Sequence, residues 1–318
     1  MALLIAVHGW DSESWSSRFS NLLPGHDVRC HPETTGNPAE IRYLLAWKPD
    51  SDLLASLTNL EVIFSLGAGV DHLLQTPDLP DVPIVRIVDP DLTMRMSEWI
   101  VLQVLLHHRK HRTYHAQQHQ RLWQPHDQPA ASAVRVGIMG LGVLGRDAAT
   151  HLSRLGFQVA GWSRSPKEID GIRSFSGADG LDDMLKRTDI LVNLLPLTQD
   201  TRGLIDYRLL SKLSTDGKRH PGCDAPVLVN AGRGASQVEA DIVRALDDGT
   251  LAACSLDVFE TEPLPAPSPL WTHPKVYATP HVAADSDPQT LSHYVAERIQ
   301  AFEAGEGLIN VVDRATGY

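Results

Sequence analysis

The sequence is poor in cysteine and in long apolar runs. Its three cysteines, Cys30, Cys223 and Cys254, match neither a CxxC motif nor the spacing of a zinc site. An odd number of thiols without such spacing favours a reduced compartment over a disulfide framework. No stretch approaches the roughly 18 apolar residues that a membrane helix needs. The first residues lack the basic region of a signal peptide, so we expect a cytoplasmic protein.

Positive charge is also scarce, since 28 basic residues face 39 acidic ones and the net charge is −11. This balance argues against nucleic acid or an anionic membrane as a partner, although it leaves room for a local basic pocket. The hydrophobic content of 42% is ordinary for a globular protein, and 318 residues suggest about two domains.

A glycine-rich turn stands in the middle of the chain. The apolar run Val134–Met139 predicts a buried strand, and Gly140, Gly142 and Gly145 follow it in the pattern G-x-G-x-x-G before a helical pattern begins. This order is typical of a dinucleotide site, where the free N–H groups of the helix start receive a pyrophosphate. A glycine-rich turn without a ligand is the alternative. The expected cofactor contacts are Gly140, Gly142, Val143, Leu144 and Gly145.

The end of the next strand predicts which dinucleotide is bound. The apolar run Phe157–Trp162 ends in Ser163, Arg164, Ser165, Pro166 and Lys167, where an NAD site usually carries an acid for the ribose 2′-OH. An acid would repel a 2′-phosphate, whereas an arginine can bind it with two hydrogen bonds. We therefore expect NADP(H) to be preferred, with NAD(H) also accepted, and contacts from Ser163, Arg164, Ser165 and Lys167. The alternative is that these cations are ordinary surface charges.

Strands and helices alternate along the rest of the chain, which indicates α/β layers. The other expected strands are Leu3–Val7, a segment around Val28, Tyr43–Trp47, Val62–Leu66, Ile84–Val88, Thr188–Leu195, Val227–Val229, Ala252–Val258 and Lys275–Ala278. The expected helices are Leu53–Leu60, Thr93–His111, Leu181–Lys186, Tyr207–Leu213, Glu239–Asp248 and Leu291–Ala304.

Histidines four residues apart follow the long central helix. His111, His115 and His119 would share one helix face and could bind a metal. The basic residues among them favour a solvated or subunit-facing surface, so we expect no metal.

Polar residues stand where several of the later strands end. They are Arg233, Asp257, Glu262 and His281, and an open parallel sheet gathers its site at such positions. Arginine can hold a carboxylate, histidine can move a proton at neutral pH, and a glutamate beside that histidine would orient it.

Four segments together resemble the D-isomer-specific 2-hydroxyacid dehydrogenases, and further segments resemble their glyoxylate/hydroxypyruvate reductase A branch. The four are Gly140–Gly145, Asn230–Gly234, Leu256–Pro263 and Thr279–Ala283. Those typical of the branch are Leu66–Asp71, Met96–Trp99, Leu122–Trp123, Ser268–Trp271 and Val312–Tyr318.

The resemblance implies a role for each matching residue. Arg233 would hold the substrate carboxylate and polarise its carbonyl, and His281 would protonate the carbonyl oxygen. Glu262 would pair with His281, with Glu260 as the weaker candidate. Asp257 would bind the nicotinamide carboxamide, and the other implied cofactor contacts are Pro196, Thr198 and Ala231. The implied contacts of the substrate carboxylate are the turn residues Leu66, Gly67, Ala68, Gly69 and Val70. Trp47 would close the pocket over a small substrate.

The loop at 214–226 is longer than the resemblance leads us to expect. We expect it to be a solvated excursion on the face away from the site.

The resemblance further implies two doubly wound parallel-sheet α/β domains, Rossmann-like and flavodoxin-like, with a cleft between them. Residues 1–94 and 284–318 would form a discontinuous substrate domain, and residues 95–283 the NADP-binding domain, through which two copies would form a homodimer. The expected activity is NADPH-dependent reduction of glyoxylate, hydroxypyruvate and similar small 2-oxo acids to D-2-hydroxy acids. An NAD-linked dehydrogenase for a bulkier 2-oxo acid and a non-catalytic nicotinamide-sensing protein are the alternatives.

Overall fold

The computed structural model describes residues 1–9, 11–67, 69–220, 223–285 and 287–318. The chain divides into two compact units. Unit 1 comprises Met1–Leu92 and Asp285–Tyr318, and unit 2 comprises Thr93–Ala284. These bounds differ by at most two residues from those expected. Every strand pairing described within the two sheets is parallel, so the prediction of two parallel-sheet α/β units is confirmed.

Unit 1 is built on a five-stranded sheet whose strands, in spatial order, are β2 (Asp27–Cys30), β1 (Ala2–Val7), β3 (Ile41–Trp47), β4 (Val62–Ser65) and β5 (Ile84–Arg86). All six residues of β1 are buried: Leu3 and Ile5 belong to the apolar core on one face, Ala2 and Leu4 to the core on the other. A strand covered on both faces is apolar throughout, as parallel sheets require. The elements before the unit boundary are β1 (Ala2–Val7), α1 (Ser12–Leu22), β2 (Asp27–Cys30), β3 (Ile41–Trp47), α2 (Ser51–Ser56), β4 (Val62–Ser65), α3 (Asp71–Leu74), β5 (Ile84–Arg86) and α4 (Pro90–His108), which continues into unit 2.

Unit 2 is built on a seven-stranded sheet in the order β12-β11-β10-β9-β6-β7-β8. Its elements are α5 (His111–His119), β6 (Arg135–Met139), α6 (Val143–Arg154), β7 (Gln158–Ser163), β8 (Arg173–Ser176), α7 (Gly177–Lys186), β9 (Ile190–Asn193), α8 (Tyr207–Leu210), β10 (Val227–Asn230), α9 (Glu239–Asp247), β11 (Ala253–Leu256) and β12 (Val276–Ala278). The chain then returns to unit 1 as α10 (Pro288–Glu303), which packs against α1.

The strand order of unit 2 determines where a ligand can bind. The chain winds outward from β6 to β7 and β8, then returns to β9 on the other side of β6 and continues to β12. Ligands of open α/β sheets bind beyond the carboxyl ends of the strands at such a reversal. The glycine turn follows β6 directly, so it lies at this point.

Several elements differ from the sequence predictions. Helix α1 and edge strand β8 were not predicted, although Trp15 and Phe19 of α1 are buried one helical turn apart. The predicted helix Thr93–His111 begins earlier, at Pro90, and ends at His108. Lys110 takes a left-handed conformation (φ 53°), and α5 starts anew at His111. Lysine carries no helix-breaking signal, so the sequence pattern could not reveal this break.

The base of the 214–226 loop is bound at the amino edge of the seven-stranded sheet. Arg135, the first residue of β6, donates from Nη1 to both carboxylate oxygens of Asp216 (2.8 and 2.7 Å) and from Nη2 to Ser214 Oγ (3.0 Å). The site-bearing turns leave the opposite edge, so this part of the loop lies away from them, as expected. Pro221 and Gly222 are outside the described residues.

Candidate functional site

The glycine turn after β6 has the shape that a dinucleotide requires. Gly140 has φ +103°, and a Cβ there would lie 2.9 Å from the backbone of Leu194, which follows β9. A Cβ on Gly145 would come within 1.8 Å of the Gly140 carbonyl oxygen, so only glycine lets α6 pack this close. A Cβ on Gly142, the N-cap of α6, would meet nothing within 4 Å. The space beside Gly142 at the N-terminal end of α6 is therefore open, and a helix N-terminus favours an anion.

The turn after β7 presents its cations to solvent. Ser163 ends β7 and is buried, and its hydroxyl donates to the Ser165 carbonyl (2.8 Å), which closes the turn. Arg164, Ser165 and Lys167 are exposed. Strand β7 neighbours β6, so these residues follow the strand next to the glycine turn. Their contact with a 2′-phosphate stays a prediction.

The segment after β9 is shaped by a residue that the sequence predictions missed. The Thr201 hydroxyl donates to the Pro196 carbonyl (2.7 Å) and accepts from the Thr198 amide (2.8 Å). It thereby holds the backbone of Pro196 and Thr198, two of the residues predicted to contact the cofactor. The signal in the sequence is a threonine three residues after Thr198, a common local turn motif.

Two glycines place Arg233 after β10. A Cβ on Gly232 would lie 2.8 Å from Asn193 Nδ2, and a Cβ on Gly234 would lie 1.8 Å from the Phe259 carbonyl oxygen. The segment can therefore approach both the end of β9 and the segment after β11. Arg233 lies between the two contacts, and its Nη1 donates to the Gly232 carbonyl (2.9 Å).

A buried hydrogen-bond network of side-chain amides holds the segment that carries Arg233. Asn193 of β9 donates to Asn230 Oδ1 of β10 (2.9 Å) and to Ser236 Oγ (3.1 Å). Asn230 in turn donates to Gln237 Oε1 (2.7 Å), whose Nε2 donates to the Val258 carbonyl (3.0 Å). Fully paired buried amides make a rigid support for a site. Sequence reasoning did not identify the network, because its members lie up to 65 residues apart.

Asp257 organises the loop that carries His281. Its carboxylate is buried and accepts from the Thr279 hydroxyl (2.6 Å) and from the backbone amides of Val282 (2.9 Å) and Ala283 (2.9 Å). Its carbonyl accepts from the His281 amide (2.8 Å). His281 is held in a left-handed conformation (φ 56°), a strained state that is concentrated at functional sites. The predicted contact of Asp257 with a nicotinamide carboxamide stays a prediction.

The side chains of Glu262 and His281 are hydrogen-bonded to each other. His281 Nδ1 lies 2.8 Å from Glu262 Oε2, and Glu262 Oε1 accepts from the Phe259 amide (3.1 Å). The His281 side chain is 40% exposed and the Glu262 side chain is 28% exposed. Glu260 is engaged elsewhere, since it and Glu239 each accept a hydrogen bond from the other's backbone amide (2.7 Å). The geometry therefore pairs Glu262 with His281.

This arrangement leaves one nitrogen of the imidazole available for chemistry. A carboxylate can only accept, so His281 Nδ1 donates to Glu262. The other nitrogen, Nε2, can then give or take a proton while the carboxylate compensates the charge of the imidazolium. The pair is suited to proton transfer to an oxygen atom.

Unit 1 has a turn of its own after β4. The buried hydroxyl of Ser65 lies 3.3 Å from the Gly67 carbonyl oxygen and 3.4 Å from that of Gly69. Leu66 is buried, and its amide donates to the Ala46 carbonyl (3.0 Å). Ala68, predicted to contact the substrate, is outside the described residues. Trp47 ends the neighbouring strand β3.

The histidines of α5 share a helix face as predicted. The rings of His111 and His115 stack 6.3 Å apart, and Nε2 of His115 lies 3.2 Å from Nε2 of His119. Over residues 1–9, 11–67, 69–220, 223–285 and 287–318, no group of three or more potential ligands is arranged to hold a metal ion. Within the same residues, no helix has the length and apolar character to span a membrane.

A family comparison matches the middle of the chain. Residues 101–283 match the model of the D-isomer specific 2-hydroxyacid dehydrogenase, NAD binding domain. The chain is also 38% identical over 315 residues to glyoxylate/hydroxypyruvate reductase A of Yersinia enterocolitica, with 97% of each chain covered.

Solved structures extend the likeness to the whole chain. One is the NADPH-dependent glyoxylate/hydroxypyruvate reductase of Sinorhizobium meliloti in complex with NADP and sulfate, with 48% identity, a TM-score of 0.93 and coverage of 100% of this chain and 99% of that one. Another is a probable 2-hydroxyacid dehydrogenase of Rhizobium etli with NADP, HEPES and L(+)-tartaric acid, with 45% identity, a TM-score of 0.92 and the same coverage.

Proposed function

The chain belongs to the D-isomer specific 2-hydroxyacid dehydrogenase family, and we propose that it is an NADPH-dependent reductase of small 2-oxo acids. The observation that carries the proposal is the hydrogen bond between Glu262 and His281, which lies at the same sheet edge as Arg233 and the glycine turn. The expected products are D-2-hydroxy acids.

The residues of the chain divide the reaction between them. The bound nicotinamide supplies the hydride that reduces C2 of the 2-oxo acid. Arg233 holds the substrate carboxylate and polarises the carbonyl through charge-assisted hydrogen bonds. His281 delivers the proton from Nε2 to the carbonyl oxygen as negative charge develops there, and Glu262 orients the ring through its hydrogen bond to Nδ1.

The preference for NADP(H) rests on the turn after β7. Arg164 and Lys167 are exposed there, and no acid lies between Ser163 and Lys167. The relatives from Sinorhizobium meliloti and Rhizobium etli were both solved with NADP. In this proposal Arg164 binds the 2′-phosphate, and NAD(H) is accepted less well.

Glyoxylate and hydroxypyruvate are the proposed substrates. The Yersinia and Sinorhizobium relatives are named for these two acids. Both carry a carboxylate next to the reacting carbonyl, which suits an arginine and a histidine at one sheet edge. The turn of unit 1 from Leu66 to Val70 is proposed to contact the same carboxylate.

A homodimer through unit 2, located in the cytoplasm, completes the proposal. Trp123 is 99% exposed, and Leu122 beside it in the chain and Leu102 of α4 are about half exposed. Large apolar side chains at the surface mark protein contacts. Sedimentation of the parent and of Trp123→Ser would test this, since the variant should shift toward the monomer.

The decisive experiment follows NADPH and NADH oxidation in parallel with each of the two acids, for the parent and for Arg164→Glu. The parent should oxidise NADPH faster, and the variant should lose at least tenfold in kcat/KM for NADPH while retaining NADH activity. Unchanged cofactor preference in the variant would favour the NAD-linked alternative. Cofactor binding with no turnover of any 2-oxo acid would favour the nicotinamide-sensing alternative.

A further inference from the structure

Asp257 and Thr279 follow neighbouring strands of unit 2 directly. Strand β11 ends at Leu256 and strand β12 ends at Ala278, and these two residues are paired in register. The pairing continues past the strand ends, because the Thr279 amide donates to the Leu256 carbonyl (3.0 Å). Asp257 and Thr279 therefore lie side by side at the carboxyl edge of the sheet.

The Asp257 carboxylate binds the chain on both sides of His281. Its Oδ1 accepts from the Thr279 hydroxyl (2.6 Å), which lies two residues before the histidine. Oδ1 also accepts from the Val282 amide, and Oδ2 accepts from the Ala283 amide (both 2.9 Å). Asp257 is 1% exposed, so little water competes for these hydrogen bonds, and they are stronger than they would be in water.

The backbone of His281 requires such a restraint. Its φ of 56° lies in the left-handed region, which a residue other than glycine keeps only when the surrounding structure imposes it. The His281 amide donates to the carbonyls of Asp257 (2.8 Å) and Thr279 (3.0 Å). The Thr279 hydroxyl thus links the two residues whose carbonyls hold the amide of the strained histidine.

We propose that Thr279 is a positioning residue that acts through the Asp257 carboxylate and holds His281 where its Nε2 delivers the proton. The inference rests on the proposed function, in which His281 is the proton donor. A hydrogen bond from a hydroxyl to a carboxylate is charge-assisted, and 2.6 Å is typical of the strong ones. Glu262 restrains the ring, whereas Thr279 and Asp257 restrain the backbone that carries it.

The measurement is the rate constant of a single turnover of enzyme-bound NADPH with excess glyoxylate. It is expressed per NADPH-binding site, so unfolded protein does not count, and it does not include product release. Thr279→Val keeps the branched shape of the side chain but has no hydroxyl. We expect it to lower the rate constant at least about tenfold, because a displacement of about 1 Å can cost about 10²-fold. The Kd of NADPH, from fluorescence titration, and the glyoxylate concentration at half-maximal rate should stay within twofold.

Further variants test whether Thr279 acts through His281. Thr279→Ser retains the hydroxyl and should stay within twofold of the parent, whereas Thr279→Ala should lose at least as much as Thr279→Val. Adding Thr279→Val to His281→Asn should lower the rate constant no further, because the position of the donor has no effect once the donor is gone. Thr290→Val is the matched control and should react like the parent, since the Thr290 hydroxyl also donates to a carboxylate, Asp287 Oδ2 at 2.8 Å, but on α10 of unit 1.

The outcomes separate this inference from the function on which it rests. In an enzyme that reduces glyoxylate, a Thr279→Val rate constant within twofold of the parent would overturn the role of Thr279. An equal loss in the parent and in the His281→Asn background would show that Thr279 does not act through His281, which also overturns it. A weaker NADPH affinity with an unchanged rate constant would assign the hydroxyl to cofactor binding instead. A parent that reduces no 2-oxo acid would overturn the proposed function, and this inference with it.

Discussion

The two edges of the seven-stranded sheet each carry an arginine and carboxylates, but these groups are arranged differently at the two edges. At the amino edge, the Arg135 side chain is 7% exposed, and its nitrogens donate to Asp189, Asp216 and Ser214. At the carboxyl edge, Arg233 follows β10, and the Glu262–His281 pair is partly open to solvent.

The charged groups at the amino edge have shifted pKa values. Hydrogen bonds to Asp189 and Asp216 raise the pKa of the Arg135 guanidinium, so it stays charged at any working pH. Burial alone would raise the pKa of Asp216, but the hydrogen bonds from Arg135 and from the Lys218 amide lower it. Charges locked in this way stabilise the fold and cannot exchange protons. The hydrogen-bonded pair Glu262 and His281 is partly exposed to solvent, which is why we place the chemistry at the carboxyl edge.

The largest effect should come from removing the proton donor. His281→Asn should lower kcat/KM for glyoxylate by roughly 10²–10⁴, the usual contribution of general acid catalysis, and leave thermal unfolding nearly unchanged. Steady-state kinetics with saturating NADPH measure it. His273→Asn is the control, because that ring also faces a carboxylate, Asp247 Oδ1 at 3.3 Å, but away from the site. Equal losses in both variants would contradict the assignment.

A change at the opposite edge should affect stability instead. Arg135→Met leaves two acids without their cation, which costs about 3–5 kcal/mol for a buried pair and lowers the melting temperature by roughly 6–20 °C. The control is Arg29→Met, which also loses two carboxylate partners, Asp27 and Glu40, but both of these are exposed. That change should cost at most about 1 kcal/mol. If both variants melted alike, the amino-edge network would not have the role described.

Removing the arginine of the carboxyl edge should have a smaller effect than removing the histidine. A charge-assisted hydrogen bond contributes roughly 1.5–3 kcal/mol, so Arg233→Ala should reduce kcat/KM by at least about tenfold, mainly through KM for the 2-oxo acid. Arg233→Lys keeps the charge but not the two-point geometry and should fall between the alanine variant and the parent. An unchanged kcat/KM in Arg233→Ala would falsify the proposed substrate contact.

The smallest effect should come from a histidine inside unit 2, away from both edges. Burial, with a smaller effect from Arg112, lowers the pKa of His107 to about 4, and its Nε2 lies 2.8 Å from Ser255 Oγ. The pKa of His107 in the unfolded chain is about 6.5, so below this pH the unfolded chain binds a proton that the folded chain does not. The free energy of unfolding therefore falls as the pH drops from 6.5 toward 4. Between pH 7.5 and 5.5 the loss should be about 1 kcal/mol.

The pH dependence is checked by thermal melts at the two pH values. The variant His107→Gln should lose less stability than the parent over this interval, because glutamine does not titrate. A parent and variant with the same pH dependence would show that His107 does not titrate as its burial requires.

Much of unit 2 could be predicted because its signals are local. The positive φ of Gly140 and the close contact between Gly145 and the Gly140 carbonyl arise within a few residues of the chain, and apolar runs such as Val227–Val229 match buried parallel strands. The helix break at Lys110 could not be predicted, because neither glycine nor proline marks it. The choice of Glu262 over Glu260 came from the family resemblance and not from spacing, since both acids lie near the same proline.

The sequence by itself determined the alternation of strands and helices, the dinucleotide turn and the residue types at the strand ends, because backbone conformation and burial patterns depend mostly on near neighbours. Only the tertiary structure decided which of these residues meet. Glu262 reaches His281 across 19 residues, Asn193 reaches Asn230 across 37, and His72 reaches Trp47 across 25. Such contacts depend on the path of the whole chain over the sheet, which no local pattern encodes.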